Sequence, residues 1–310
     1  MYIYKAKTGF TIVELLIVIV VIGILAGITI VAYNGVAQRA KVSAAQSGVT
    51  QAVKKIEAYA VTNNDTYPYT LEDAGLVDTD SVSYQYVVNN GSNPKTYCIS
   101  TTTQGVSYYD DSTLSTMPAE GKCTISNIVT NPSFKTDVAG WSRSISGGMT
   151  VTGTRVAGQT TPIPGISTAY RLEITAGSGS YWRTGITLPA MAGHTYQFSA
   201  YARANTNMDA HIALQWRDAG GALISATYPT FSLTTDAWTR MSVGRTAPAG
   251  TASILYQLGA PSSAPVGTKL DFTGVMLSQG QSLYSYADGD LSGWGWSGTP
   301  NNSQSSGKPL

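Results

Sequence analysis

Charge is what this 310-residue chain has least of. Asp, Glu, Lys and Arg make up 12% of it, and 19 basic against 18 acidic residues leave a net charge of +1. Proteins that grip nucleic acid through its phosphates need a basic surface, so the totals argue against nucleic acid as a partner. Histidine is nearly missing: His194 and His211 are the only two, and no G-x-S-x-G elbow surrounds a serine. After residue 125 the only glutamate is Glu173, and the aspartates lie scattered, mostly in turn sequence. Glycoside hydrolysis ordinarily needs two carboxylates flanking the bond. The composition therefore points away from an enzyme, and nothing in it calls for a cofactor or a metal. Cysteine is scarce as well, with Cys98 and Cys123 alone. Two thiols without a nearby histidine are too few for a zinc site. Outside the cytoplasm they would form one disulfide, closing a loop of about 26 residues worth roughly 3–4 kcal/mol. Two buried free thiols are the alternative.

Apolar sequence, by contrast, is concentrated at the start. Residues 10–32, FTIVELLIVIVVIGILAGITIVA, form a nearly unbroken apolar run, and about 20 such residues span a bilayer as a helix. A cleaved secretory signal has a shorter apolar core followed by a small-residue site, and neither feature is present. Glu14 interrupts the run. A carboxylate in a transmembrane helix costs several kcal/mol unless it finds a partner, and it marks function by default; a protonated side chain near the interface is the bland alternative. The run Lys7-Thr8-Gly9-Phe10-Thr11-Ile12-Val13-Glu14-Leu15-Leu16 resembles the class III signal of type IV pilins and pseudopilins. That resemblance implies that a prepilin peptidase cuts after Gly9 and methylates Phe10. It also implies that Glu14 pairs with the N-terminal amine of a neighbouring subunit. Opposite charges in a low-dielectric filament core attract strongly but are costly alone, so the pairing sets register between subunits more than it adds stability. Lys5 and Lys7 before the run nearly balance Arg39 and Lys41 after it. The N-terminus is placed inward from the resemblance and the disulfide.

Beyond the membrane the helix is expected to continue. Val42, Ala45, Val49, Ala52, Val53, Ile56 and Ala60 recur at spacings of three and four, one apolar stripe of an amphipathic helix. Thr62-Asn63-Asn64-Asp65 is poor helix and good turn sequence. Gly23-x-x-x-Gly27 permits close helix approach, and tolerated membrane glycines read the same way. Strands are expected over residues 81–89 and 95–102, flanking an Asn89-Asn90-Gly91 hairpin signal, with a third over 106–109. Cys98 falls on the second strand and Cys123 closes this small head, which resembles the disulfide-bounded loop of pilins. So small a head needs the long helix as its other wall.

From about Ile125 the pattern changes. Thr130-Asn131-Pro132-Ser133-Phe134 with Gly140-Trp141 resembles the opening of carbohydrate-binding jelly-roll modules. The stretches His194–Arg203, Ala237–Arg240 and Ala247–Gly250 support that resemblance over residues 126–286. Strand-length segments separated by Gly, Pro and Asp turns favour an all-β sandwich independently. Period-two alternation sorts the faces. Tyr196, Phe198, Ala200 and Ala202 share one face, and so do Ile212, Leu214 and Trp216; both sets read as core. On the opposite faces Gln197, Tyr201 and Arg203, and His211, Gln215 and Arg217, combine aromatic, amide and guanidinium groups suited to sugars. They form the candidate glycan groove, although an ordinary solvated sheet face has the same composition. Trp182, beside Tyr181 and Arg183, is added to it, its parity being undecided. Trp141 and Trp238 are assigned to packing. Many such modules hold a structural calcium ion with acidic residues where Lys135 and Thr273 stand here, so that site is expected to be absent. Trp294 and Trp296 suggest that the tail docks, while residues 301–310 read as disordered.

The expected architecture is an α+β pilin head on a long N-terminal helix, followed by an all-β jelly-roll sandwich. Its parts are a leader (1–9), a helix (10–62, with 10–32 in the membrane), a head (63–125), the sandwich (126–286) and a tail (287–310). The chain reads as a type IV pilus subunit, minor or at the tip. It is inserted in the cytoplasmic membrane, processed by the prepilin peptidase, assembled with other pilin subunits, and then carries a glycan-binding or adhesive module on the cell surface. A type II secretion-like pseudopilin or a competence pilin is the alternative.

Overall fold

The α-helix α1 runs from Ile12 to Thr62 and would be about 77 Å long at ~1.5 Å per residue. The computed structural model describes residues 11–90, 94–113, 118–262 and 264–309. Gly9 and Phe10 therefore lie outside the described residues. Along the first half of α1 every large apolar side chain from Ile12 to Val31 is exposed, by 47% to 85%. The second half buries Ala45, Val49, Ala52, Ile56 and Ala60, the stripe that the three-four spacing foretold. Burying a side chain such as Ile56 completely is worth roughly 1.5–3 kcal/mol. Asn63 ends the helix with its N–H bonded to the Ala60 carbonyl.

The strands that follow are, in chain order, β1 (Val82–Asn89), β2 (Thr96–Thr103), β3 (Val106–Asp111), β4 (Ala119–Glu120) and β5 (Ile125–Asn127). Next come β6 (Ser142–Ile145), β7 (Thr150–Val156), β8 (Ala169–Ala176), β9 (Trp182–Pro189), β10 (Thr195–Ala204) and β11 (Met208–Arg217). The last are β12 (Leu223–Thr227), β13 (Thr230–Leu233), β14 (Thr239–Thr246), β15 (Ser253–Ala260), β16 (Lys269–Gln279), β17 (Trp294–Trp296) and β18 (Ser305–Gly307). Strands β1 to β4 make an antiparallel meander whose Tyr86, Val88, Tyr97 and Ile99 pack on Val49, Ala52 and Ile56 of α1. This is the head, and Cys98 and Cys123 are joined in it as a disulfide. Tyr97 donates its hydroxyl to Glu57 on the helix at 2.8 Å.

The larger unit is a sandwich of two antiparallel sheets. One runs β14-β10-β16-β8-β7, and the other β12-β11-β15-β9-β6, with β13 also pairing β11. Between them lies one core that includes Phe134, Trp141, Tyr170, Phe198, Trp216 and Tyr256. Trp141 meets Phe134 edge-on at 5.3 Å, so the opening motif is built around a core aromatic pair. Lys135 forms an ion pair with Asp290, and Thr273 is buried with its hydroxyl donating to the Thr168 carbonyl at 2.8 Å.

The tail departs from expectation. Far from being disordered, Ser305–Gly307 forms β18, which pairs with both β17 and β5. Trp294 is buried and donates to the Lys308 carbonyl at 2.9 Å, and Trp296 donates to Asp290 at 2.8 Å. The tail is thereby stitched to the junction of head and sandwich. At that junction the Tyr69 ring sits 5.2 Å from the His194 ring, and Gln279 bonds both the Val88 carbonyl and His194.

Candidate functional site

Two regions carry the chemistry. The first is the start of α1, where Thr11 and Glu14 form a reciprocal capping box. The Thr11 backbone N–H and its hydroxyl donate to Glu14 Oε2 at 2.8 and 2.7 Å, while the Glu14 N–H donates to Thr11 Oγ1 at 3.2 Å. The carboxylate that the sequence strands in an apolar run is thus held at the helix N-terminus, in line with the positive end of the helix dipole and four residues from Phe10.

The second region is the sandwich, where the proposed groove residues separate. Gln197, Tyr201 and Arg203 stand on β10, in the five-stranded sheet; His211, Gln215 and Arg217 stand on β11, in the six-stranded one. Each set faces away from the shared core, so the two lie on opposite outer faces and cannot line one groove. Alternation along a strand tells in from out but not which sheet the strand joins. The β10 set is also covered. Ile163 and Ile166, from the loop between β7 and β8, pack with Tyr286, Trp294 and the partly buried Tyr201. Gln197 donates to the Gln281 carbonyl, and Arg203 donates to Gln159 and, at 2.8 Å, to Asp271. Asp271 also receives a two-pronged bond from Arg171 at 2.7 and 2.8 Å. Trp238 stacks 4.7 Å from the Arg203 guanidinium and donates to the Thr160 carbonyl. This face is knitted to the chain's own loop and tail.

Trp182 is a clear correction. It is fully buried in the core and donates its indole N–H to the Ser262 carbonyl at 3.2 Å. The parity that sends it inward sends its neighbours Tyr181 and Arg183 outward.

What remains is the outer face of the six-stranded sheet, whose geometry follows from its register. Arg183 pairs with Ser144 on one side and Gly259 on the other, Gly259 pairs with His211, and His211 with Thr230. Arg183 and His211 thus share one cross-strand row with only a glycine between them. A Cβ on Gly259 would fall 2.7 Å from Arg183 Cγ, so a side chain there would displace the arginine. The next row repeats the device: Gly185 faces Gln257, and a Cβ there would meet Gln257 Cγ at 2.5 Å. Gln257 lies within hydrogen-bond reach of Gln215, which accepts from Arg217 at 2.8 Å.

Two aromatic rings flank the arginine. The Arg183 guanidinium carbon lies 4.2 Å from the Tyr181 ring centroid and 5.1 Å from that of Tyr228. Tyr228 is 45% exposed, whereas His211 is buried, its ring 6.1 Å from Tyr228. Burial, then the Arg183 charge, push the His211 imidazole down to about 4, so at neutral pH it is uncharged. Among the described residues neither His211 Nε2 nor Arg183 Nε has a hydrogen-bond partner, and both atoms are shut off from solvent. Arg183, Tyr228 and Gln257, which this face brings together, were not among the residues singled out from the sequence. The signal that could have found Arg183 is the inward parity of Trp182. Among the described residues no group of three or more His, Cys, Asp or Glu side chains is placed to hold a metal ion.

Residues 4–30 match the family model of the prokaryotic N-terminal methylation motif. No curated protein matches the chain. Solved structures similar to it include the enzymatically active domain of bacteriophage CBA120 tailspike protein 4, at 18% identity and a TM-score of 0.41, over 49% of this chain and 21% of that one. They also include a structure described as "CBM4 structure and function", at 16% identity and TM-score 0.38, over 49% and 99%. A third is the C-terminal family 22 carbohydrate-binding module of Clostridium thermocellum Xyn10B, at 14% and 0.39, over 50% and 94%. The chain thus spans about a fifth of the tailspike domain's length and nearly all of the two modules. It carries a type IV prepilin signal at residues 4–30, on one long helix followed by an all-β sandwich that resembles carbohydrate-binding modules.

Proposed function

We propose that this chain is a type IV pilus subunit, a minor or tip pilin, that displays its sandwich outside the cell as a non-catalytic saccharide-binding module. The observation that carries the reading is the N-terminal signal on a helix whose first half exposes its large apolar side chains, covered by no other described residue. Such a surface needs a bilayer, and after processing it needs other helices of the same kind. Cleavage after Gly9 by the prepilin peptidase would free the amine of Phe10 for Glu14 of a neighbour. The sandwich outweighs the head, and every copy in a shaft would have to carry it, which favours few copies or a tip position. Glu173, the only glutamate after residue 125, stands 3.8 Å from Lys269 on the five-stranded sheet, away from the Arg183 face.

The same signal serves pseudopilins, so location is the test. Immunogold labelling is expected on long surface fibres, at low copy number or at their tips. Label confined to the envelope would support a secretion pseudopilin instead. Purified fibres made mainly of this chain would overturn the minor role, and low-salt retardation of DNA by the protein would favour a competence pilin. Saccharide binding lost on Tyr228→Ala but kept on Tyr201→Ala is expected for the face described above.

A further inference from the structure

Among the arginines of the sandwich, Arg183 stands apart. Arg143, Arg155, Arg171, Arg203, Arg217, Arg240 and Arg245 each donate to an oxygen of the protein. Arg183 donates to none and takes part in no ion pair among the described residues. It is nevertheless held in place, with Tyr181 and Tyr228 beside it and Gly259 leaving it room. A buried polar group without a partner costs roughly 1–3 kcal/mol, and here two occur in one cross-strand row, Arg183 Nε and His211 Nε2. The carboxylate on the same side of β11, Asp209, accepts instead from Ser232 at 2.8 Å. The face therefore offers a guanidinium without an acceptor beside an exposed ring, next to a buried and neutral imidazole.

We infer that this face takes an acidic saccharide, with the Arg183 guanidinium as the ligand of its oxyanion and Tyr228 as a stacking ring. The inference rests on the saccharide-binding reading above and narrows it to a class. The planar guanidinium matches the two oxygens of a carboxylate, and equally those of a sulfate ester. A neutral sugar would leave the guanidinium uncompensated. An exposed aromatic face suits the apolar side of a pyranose and holds a nearby cation in place through its quadrupole.

The test uses the full chain in detergent at physiological salt and four immobilised polymers: polygalacturonate and its carboxyl-reduced product, and dextran sulfate and dextran. At least one charged polymer is expected to bind, with its neutral counterpart much weaker, and the pair that responds identifies the oxyanion. Arg183→Gln and Tyr228→Ala are each expected to weaken that binding about 10- to 100-fold. Arg245→Gln, which removes the same charge from an exposed arginine on the other sheet, is expected to change it less than about twofold. Because Tyr228 is exposed, its variant keeps the test open should Arg183→Gln fail to fold, which thermal melts would reveal. Neutral polymers bound as tightly as charged ones, or Arg183→Gln behaving like Arg245→Gln, would overturn the acidic class and leave saccharide binding standing. Wild-type protein that binds none of the four, nor xylan or a β-glucan, would overturn both.

Discussion

Trp182 separates a core residue from a binding residue, and the separation is measurable. The side chain is fully buried and its indole N–H reaches the Ser262 carbonyl. Truncating such a residue to alanine removes its transfer free energy and leaves a cavity, together about 3–5 kcal/mol. For a unit of 150–250 residues each kcal/mol lowers Tm by roughly 2–4 °C, so Trp182→Ala should lose about 6–20 °C. Trp182→Phe keeps most of the ring and should lose about 1–2 kcal/mol. Near-UV circular dichroism melts give the shift. Saccharide binding measured well below the lowered Tm should stay near wild type. A Tm within about 2 °C of wild type, combined with lost binding, would put Trp182 at the ligand and refute its placement in the core.

Other outcomes follow from the same geometry. His211 is held neutral in the fold down to about pH 4 but takes its proton near 6.5 when unfolded. Its contribution is therefore complete above pH 6.5 and is lost as the pH falls towards 4, by about 3 kcal/mol. Burial also pushes His194 down, so it acts in the same direction. Urea melts at pH 7 and 4.5 should show the loss, and His211→Gln should reduce it; an unchanged loss would remove His211 as its source. Asp271→Ala leaves Arg171 and Arg203 without their shared carboxylate and should cost about 3–5 kcal/mol; a melt shifted by under about 2 °C would contradict this. Replacing Cys98 and Cys123 by serine should destabilise the head by roughly 3–4 kcal/mol, read as a lower urea midpoint for the signal of its tyrosines.

The parts of the fold written in local patterns were legible in the sequence. The stripe from Ala45 to Ala60, the break after Thr62 and the first head strands all follow from spacing and turn chemistry. So does the inward set Tyr196, Phe198, Ala200 and Ala202. What failed depends on contacts distant in sequence. Tyr201 and Arg203 do point outward, but nothing local says that a loop carrying Ile163 and a tail carrying Tyr286 will cover them. His211 was placed on the correct face of its strand yet assigned to a groove with residues of the other sheet. Residues 301–310 are rich in Asn and Ser and look like coil; within them Ser305–Gly307 form a strand by pairing with β5, about 180 residues earlier. Arg183 went unassigned because its setting depends on distant chain: Gly259 lies across from it on β15, and its Nε has no acceptor among the described residues.

The central claim is that the first helix is a processed assembly segment whose Glu14 meets a neighbouring subunit's new N-terminus. Intact-protein mass spectrometry of fibres sheared from cells making either the wild-type chain or Glu14→Ala tests it most directly. The account predicts a wild-type chain that lacks its first nine residues and carries a methyl group on Phe10, with the Glu14→Ala chain missing from the fibres. A chain retaining residues 1–9, or Glu14→Ala present at wild-type levels, would contradict it.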